Sequence, residues 1–389
     1  MKGLLPAHSL YSERLKWYMQ VLTTNTIETD GPLALVLYMA VNIRELQIAD
    51  QGQMYMTRKL MGVYWSGRDE LPFQKLEVLE ISGGQDANLA MTILPSMTFL
   101  KVSNDDSCVY TTIDIDSSRP REQYFITPAP LPACPSLSKL ELSNIGNIDA
   151  IDVAAMVASP WLANLRDLSV YSCYKRRSGV VGPNIMSNLL RALERNVPFL
   201  EAFDWTQHKT YGPNFGQFDT FRGLKNLQCL LVDFRLLVPP FNSTLEILDD
   251  LHLLFPASLR KLILDNFTVA KIHSLVSKFH RAVGDVGNLG EAVSKALKHL
   301  AAKFEPLQRL TLGIDMEGDY DRVSNKIPVL ELAAEDVVFL RYAADELVKT
   351  GLKLRVERMP GFYDGDYKTL VEPGYTAPLP HSVTSDDGD

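Results

Sequence analysis

Acidic residues at alternate positions suggest a site for a hard cation, and the 389-residue chain has such a run at Asp315, Glu317, Asp319 and Asp321. A calcium loop starting at Asp315 needs Gly at its sixth position and Glu at its twelfth. Tyr320 and Lys326 stand there instead, so the run reads as a solvated loop. Gly284, Gly287 and Gly290 space as a glycine loop for phosphate. Such a loop should follow a strand and open a helix, and this run separates two helical segments. It reads as a flexible break. His273 and His280 are seven apart, whereas metal pairs on a helix sit three or four apart, and no carboxylate completes a ligand set. GxSxG and HExxH motifs are absent. The residues therefore nominate no catalytic group, no cofactor and no metal, and an enzyme acting on a small molecule is the least supported function.

What returns along the chain is an order of apolar, two residues, apolar, one residue, apolar. It occurs at Ile43/Leu46/Ile48, Leu76/Leu79/Ile81, Met97/Leu100/Val102, Leu137/Leu140/Leu142 and Leu165/Leu168/Val170. It continues at Leu200/Phe203/Trp205, Leu227/Leu230/Val232, Leu259/Leu262/Leu264 and Leu307/Leu310/Leu312, with a tenth strand at Leu352/Leu354/Val356. The last two apolar residues lie two apart, so they share one face of a strand. The first turns the chain into it. One unit cannot bury its own apolar face, so it must stack on a neighbour. Prolines such as Pro95, Pro135, Pro198 and Pro256 precede several units, where a turn loses no ladder N–H.

Between strands, apolar spacing predicts helices over 149–158, 184–195, 268–283, 291–304 and 335–350, the last ended by Gly351. Strand then helix, repeated, implies an α/β leucine-rich-repeat solenoid of about nine or ten irregular repeats. Its curved parallel sheet would lie inside and its helices outside. The expected division is an N-terminal helical cap over 1–32, repeats over 33–358 with an insertion at 103–133, and a disordered tail over 359–389.

A net charge of −8 disfavours nucleic acid as a partner. No apolar run reaches the roughly 20 residues that span a bilayer, so a membrane partner is not expected either. Cys108, Cys134, Cys173 and Cys229 form no CxxC pair, which suits thiols in a reducing compartment, cytoplasmic or nuclear.

Segments such as Pro135–Leu142, Trp161–Val170 and Ala257–Leu264 resemble the degenerate repeats of fungal F-box/leucine-rich-repeat proteins, over roughly residues 33–356. The resemblance implies a scaffold whose repeats hold a protein substrate for ubiquitin ligation. An F-box would dock the ligase adaptor as a further partner, but no F-box-like segment precedes the first repeat. In any such array the exposed strand positions are where a protein partner is expected to sit. Asp167, Asp204, Asp233 and Asp265 occupy such positions in successive repeats. They predict a mildly acidic partner-binding face with Tyr171 as an aromatic anchor.

Overall fold

A computed structural model describes residues 42–49, 75–82, 96–103, 136–143, 150–158, 162–172, 184–207, 217–237, 252–283, 289–303, 305–315, 331–359 and 368–374. The expected N-terminal cap, the body of the 103–133 insertion, the glycine break and most of the acidic run lie outside these residues. The fold class is α/β, with mostly parallel strands and few helices. The chain forms two compact units.

The first unit is built mainly from residues 1–177. It holds β1 (Glu45–Ala49), β2 (Val78–Ser82), β3 (Phe99–Ser103), β4 (Lys139–Ser143), α1 (Ala150–Val157) and β5 (Asp167–Ser172). The strands pair in parallel and in chain order, without a register shift. Leu46, Leu79, Leu100, Leu140 and Leu168 therefore form one row, and the last four are fully buried. A second inward row runs through Val102, Leu142 and Val170, all buried. Burying a side chain of this size contributes about 1.5–3 kcal/mol before the entropy of ordering is subtracted.

Register is set just ahead of each strand. The Arg44 carbonyl accepts from the N–H groups of Glu77 and Val78 at 2.7 and 3.0 Å. The Glu77 carbonyl does the same for Thr98 and Phe99, Thr98 for Ser138 and Lys139, and Ser138 for Arg166 and Asp167. One residue ahead of each of these strands thus fixes the start of the next. The entry leucines Leu76, Leu137 and Leu165 are buried beside these turns.

The second unit is built mainly from residues 211–389, with 178–194 and 200–207. It holds α2 (Ile185–Asn196), β6 (Ala202–Gln207), β7 (Cys229–Asp233), β8 (Lys261–Thr268), α3 (Val269–Val283), α4 (Leu289–Lys303), β9 (Arg309–Asp315), α5 (Ala334–Val348), β10 (Lys353–Arg358) and β11 (Lys368–Val371). β6 to β10 pair in parallel and in chain order. The double-acceptor carbonyls recur here at Glu201, Gln228 and Arg260. Phe203, Trp205, Phe218, Phe221 and Phe255 fill the start of this core, with ring centroids 5.0–6.4 Å apart between neighbours. α5 packs on β10 and β11, and its Leu340, Ala344 and Leu347 are buried. It ends where sequence expects. Gly351, at φ 89°, reverses the chain so that the Leu352 N–H reaches the Leu347 carbonyl.

Two features depart from expectation. The predicted disordered tail is corrected over Lys368–Val371, which forms β11, antiparallel to β10. β8 also runs past its apolar pair to Thr268 and carries an irregularity between Leu264 and Phe267. Asn266 sits there at φ 62°, a left-handed conformation that Asn tolerates better than most side chains.

Truncating an inward leucine should cost far more than removing its outward neighbour. Urea unfolding of Leu140→Ala is expected to show a loss of about 2–5 kcal/mol. Lys139→Ala, on the other face of the same strand, should stay within about 1 kcal/mol.

Candidate functional site

Since every second strand residue points into the core, the remaining ones make a surface whose chemistry differs between the units. In the first unit, Gln47, Glu80, Lys101, Glu141 and Ser169 lie in one register row. Their charges are mutually engaged. Lys101 lies 3.9 Å from Glu80, and Gln47 donates to Glu80 at 3.4 Å. Lys139 lies 2.7 Å from Glu141, 3.8 Å from Asp167, and over the Phe99 ring at 4.9 Å. The bond to Glu141 holds the Lys139 ammonium above its ordinary value. Asp167 is raised above the usual carboxylate range. Burial outweighs the pull of Lys139, and Glu141 adds repulsion. Asp167, Ser169 and Tyr171 share the outward face of β5, each half-buried. The two site residues predicted in this unit thus do sit on the outward face.

In the second unit the predicted acids part company. Asp204 is half-buried and accepts from the Thr206 hydroxyl at 3.0 Å. Asp233 and Asp265, by contrast, are only 1% and 0% exposed, which corrects the expectation that both face solvent. They are register neighbours, Asp233 at the end of β7 and Asp265 within β8, at its irregularity. Asp233 caps the short 3-10 turn Phe234–Leu236, accepting from the Arg235 N–H at 2.8 Å. Its carboxylate also takes the Arg235 guanidinium, with Nε at 3.0 Å and Nη2 at 2.5 Å, and the Asn266 amide at 2.8 Å. Asp265 lies over Gly313, where a Cβ would come within 2.0 Å of its Oδ1. The Met359 sulfur accepts the Asn266 N–H at 3.1 Å. Together these contacts form a polar clasp that seals the strand ends. Beside it, desolvation and the Arg235 charge lower the Lys271 ammonium, against the pull of Asp233.

With those acids buried, the first outward row of this unit's last three parallel strands is basic, while Arg355, two residues along β10 from Lys353, is held by Glu357 and Glu372. Lys261, Arg309 and Lys353 are register neighbours on β8, β9 and β10. Arg309 and Lys353 are exposed and Lys261 is half-buried. None of the three makes an ion pair among the described residues. The next outward row begins Asp204, Leu231, Ile263, and both apolar residues in it are half-exposed. Sequence reasoning missed Lys353, although it takes the position before the first inward leucine, as Lys139, Lys261 and Arg309 do.

One further arrangement resembles catalytic machinery. His273 Nδ1 on α3 lies 3.1 Å from Oδ2 of Asp336, whose side chain is 1% exposed in the first turn of α5. On the far side of the ring, Ser277 Oγ lies 3.5 Å from Nε2. The order is that of a Ser–His–Asp relay. However, Ser277 stands in mid-helix, where backbone N–H groups are already committed to carbonyls four residues back. Acyl transfer needs free donors aimed at the developing oxyanion. A tie between α3 and α5 accounts for the contact.

Among the described residues, no cluster of three His, Cys, Asp or Glu could hold a metal ion, and no helix is long and apolar enough to cross a membrane. No protein-family model matches the chain, and no curated protein matches it.

Charge reversal should separate the two kinds of aspartate. Asp233→Lys is expected to lower the unfolding free energy by about 3 kcal/mol or more, because it buries a second cation against Arg235. Asp204→Lys should cost only about 1 kcal/mol. Chemical denaturation of both variants checks this. Asp167 makes a pH prediction. Its folded value lies above its unfolded one, so its ionisation opposes folding once pH rises through the carboxylate range. Asp167→Asn should therefore raise the melting midpoint at pH 7, and the gain should vanish near pH 3, where the native side chain is protonated as well.

Proposed function

We propose that the chain is a non-enzymatic leucine-rich-repeat scaffold that recognises a protein partner on the outward face of its strands. One observation carries this reading. Consecutive strands pair in parallel and in chain order, with apolar rows buried on one side and half-exposed polar side chains on the other. A repeat array of this kind presents a wide surface made from many short segments, which suits a protein better than a small molecule. The half-exposed Cys229 side chain, in no disulfide, fits work inside the cell, in the cytoplasm or nucleus.

Affinity purification of the full chain from its native cells, with mass spectrometry, tests the reading. One stable partner should be retained by wild type and lost when outward residues change (Lys101→Glu with Tyr171→Ala), while thermal unfolding stays the same. A partner retained by that variant and by outward-face variants of the second unit would contradict it. Recovery of a ubiquitin-ligase adaptor with cullin would make the chain a substrate-receptor relative. A fluorophosphonate probe should leave Ser277 unlabelled, and labelling there would turn the reading toward a hydrolase.

A further inference from the structure

We infer that the outward face of the second unit binds an extended acidic segment of a partner protein, with an apolar side chain of that segment seated on Leu231 and Ile263. This rests on the scaffold reading and adds the partner's chemistry. Three observations lead to it.

The first is the cation row. Neighbouring strands lie about 4.8 Å apart, so Lys261, Arg309 and Lys353 hold three positive charges within roughly 10 Å, in register. Like charges this close repel, since the spacing is at or below a Debye length of about 10 Å at 0.1 M salt. Every outward lysine of the first unit's β3 and β4 has a carboxylate beside it. These three cations have none among the described residues, in a chain of net charge −8.

The second is where the acids went. Asp233 and Asp265 are the outward-position acids of β7 and β8, and the clasp buries both, so neither adds negative charge to the exposed face. Among the described residues nothing relieves the repulsion within the row, which suits it to an outside anion.

The third is apolar. Leu231 and Ile263 are register neighbours, half-exposed on a face where alternation calls for polar residues. They lie two residues along from Cys229 and Lys261, so an apolar step borders the cation row. A segment crossing the strands could set one apolar residue on this step and carboxylates over the cations. Interfaces combine a desolvated apolar centre with a charged rim in this way. A nucleic-acid strand would match the cations but would leave the apolar step unused, and it would be repelled by the rest of the surface.

Selection of random dodecapeptides displayed on phage against the full chain tests the inference. Wild type should enrich peptides carrying Asp or Glu around one large apolar residue. Lys261→Glu/Arg309→Glu/Lys353→Glu should reduce recovery of those peptides about tenfold or more. Should that triple variant unfold, the Gln triple variant replaces it. With wild type alone, raising salt from 0.1 to 0.5 M should weaken an enriched peptide in fluorescence anisotropy. Enrichment of neutral or basic peptides, or acidic peptides kept equally by the folded triple variant, would overturn the inference. So would a fluorescein-labelled single-stranded 20-nucleotide probe binding more tightly than the best peptide. Neutral peptides displaced by Leu231→Asp would still leave the scaffold reading standing. A partner that no outward-face variant disturbs would end both.

Discussion

At seven of the parallel strand steps one carbonyl ahead of a strand accepts two N–H groups from the entrance of the next, and the rest of the structure depends on that joint. Arg44, Glu77, Thr98 and Ser138 in the first unit, and Glu201, Gln228 and Arg260 in the second, all accept in this way. The joint sets where each strand starts. Because side chains alternate along a strand, a slip of one residue would put every inward leucine into water. Phase is thus fixed twice, by hydrogen bonds at the strand entrance and by apolar rows along it. Neither suffices alone, since a backbone bond nets only about 1 kcal/mol and an apolar row does not choose its own register.

Once phase is fixed, the outward positions are relieved of any duty to the core and can vary. The first unit fills them with acids and bases that answer each other, as Lys139 does with Glu141 and Asp167. The second buries Asp233 and Asp265 and leaves Lys261, Arg309 and Lys353 outside. Burial of Asp233 is sustained because Arg235 and Asn266 satisfy its carboxylate, where an unpartnered buried charge would be very costly. The same polar groups that stabilise the strand ends thereby set the sign of the surface beside them.

The cores of β1 to β10 and the five helices among the described residues were legible in sequence, because both periods are local. Leu137/Leu140/Leu142 declares its inward face without any knowledge of its neighbours, and Gly351 marks a helix end by its own backbone freedom. The fate of Asp233 and Asp265 was not legible. It depends on the irregularity at Asn266 and on Gly313 and Met359, which come from other strands and leave no mark within the β7 or β8 segments. β11 was missed for a similar reason. Lys368–Val371 is only four residues long, lies among Gly, Pro and Asp, and is a strand because β10 offers it an edge. The acidic face inferred from sequence assumed that alternation continues to the end of each strand. It stops where the clasp begins.

The division of each strand into a buried face and a free one is best measured by thiol labelling. Single cysteines placed at Glu80, Lys101, Arg309 and Lys353, and separately at Leu79, Leu100 and Leu354, would be reacted with a small alkylating reagent and mapped by peptide mass spectrometry. Outward thiols should react at rates close to those of exposed thiols, and inward ones only as fast as the unit unfolds. Equal rates on both faces, or protection of the outward set, would contradict the arrangement of faces on which every functional conclusion rests.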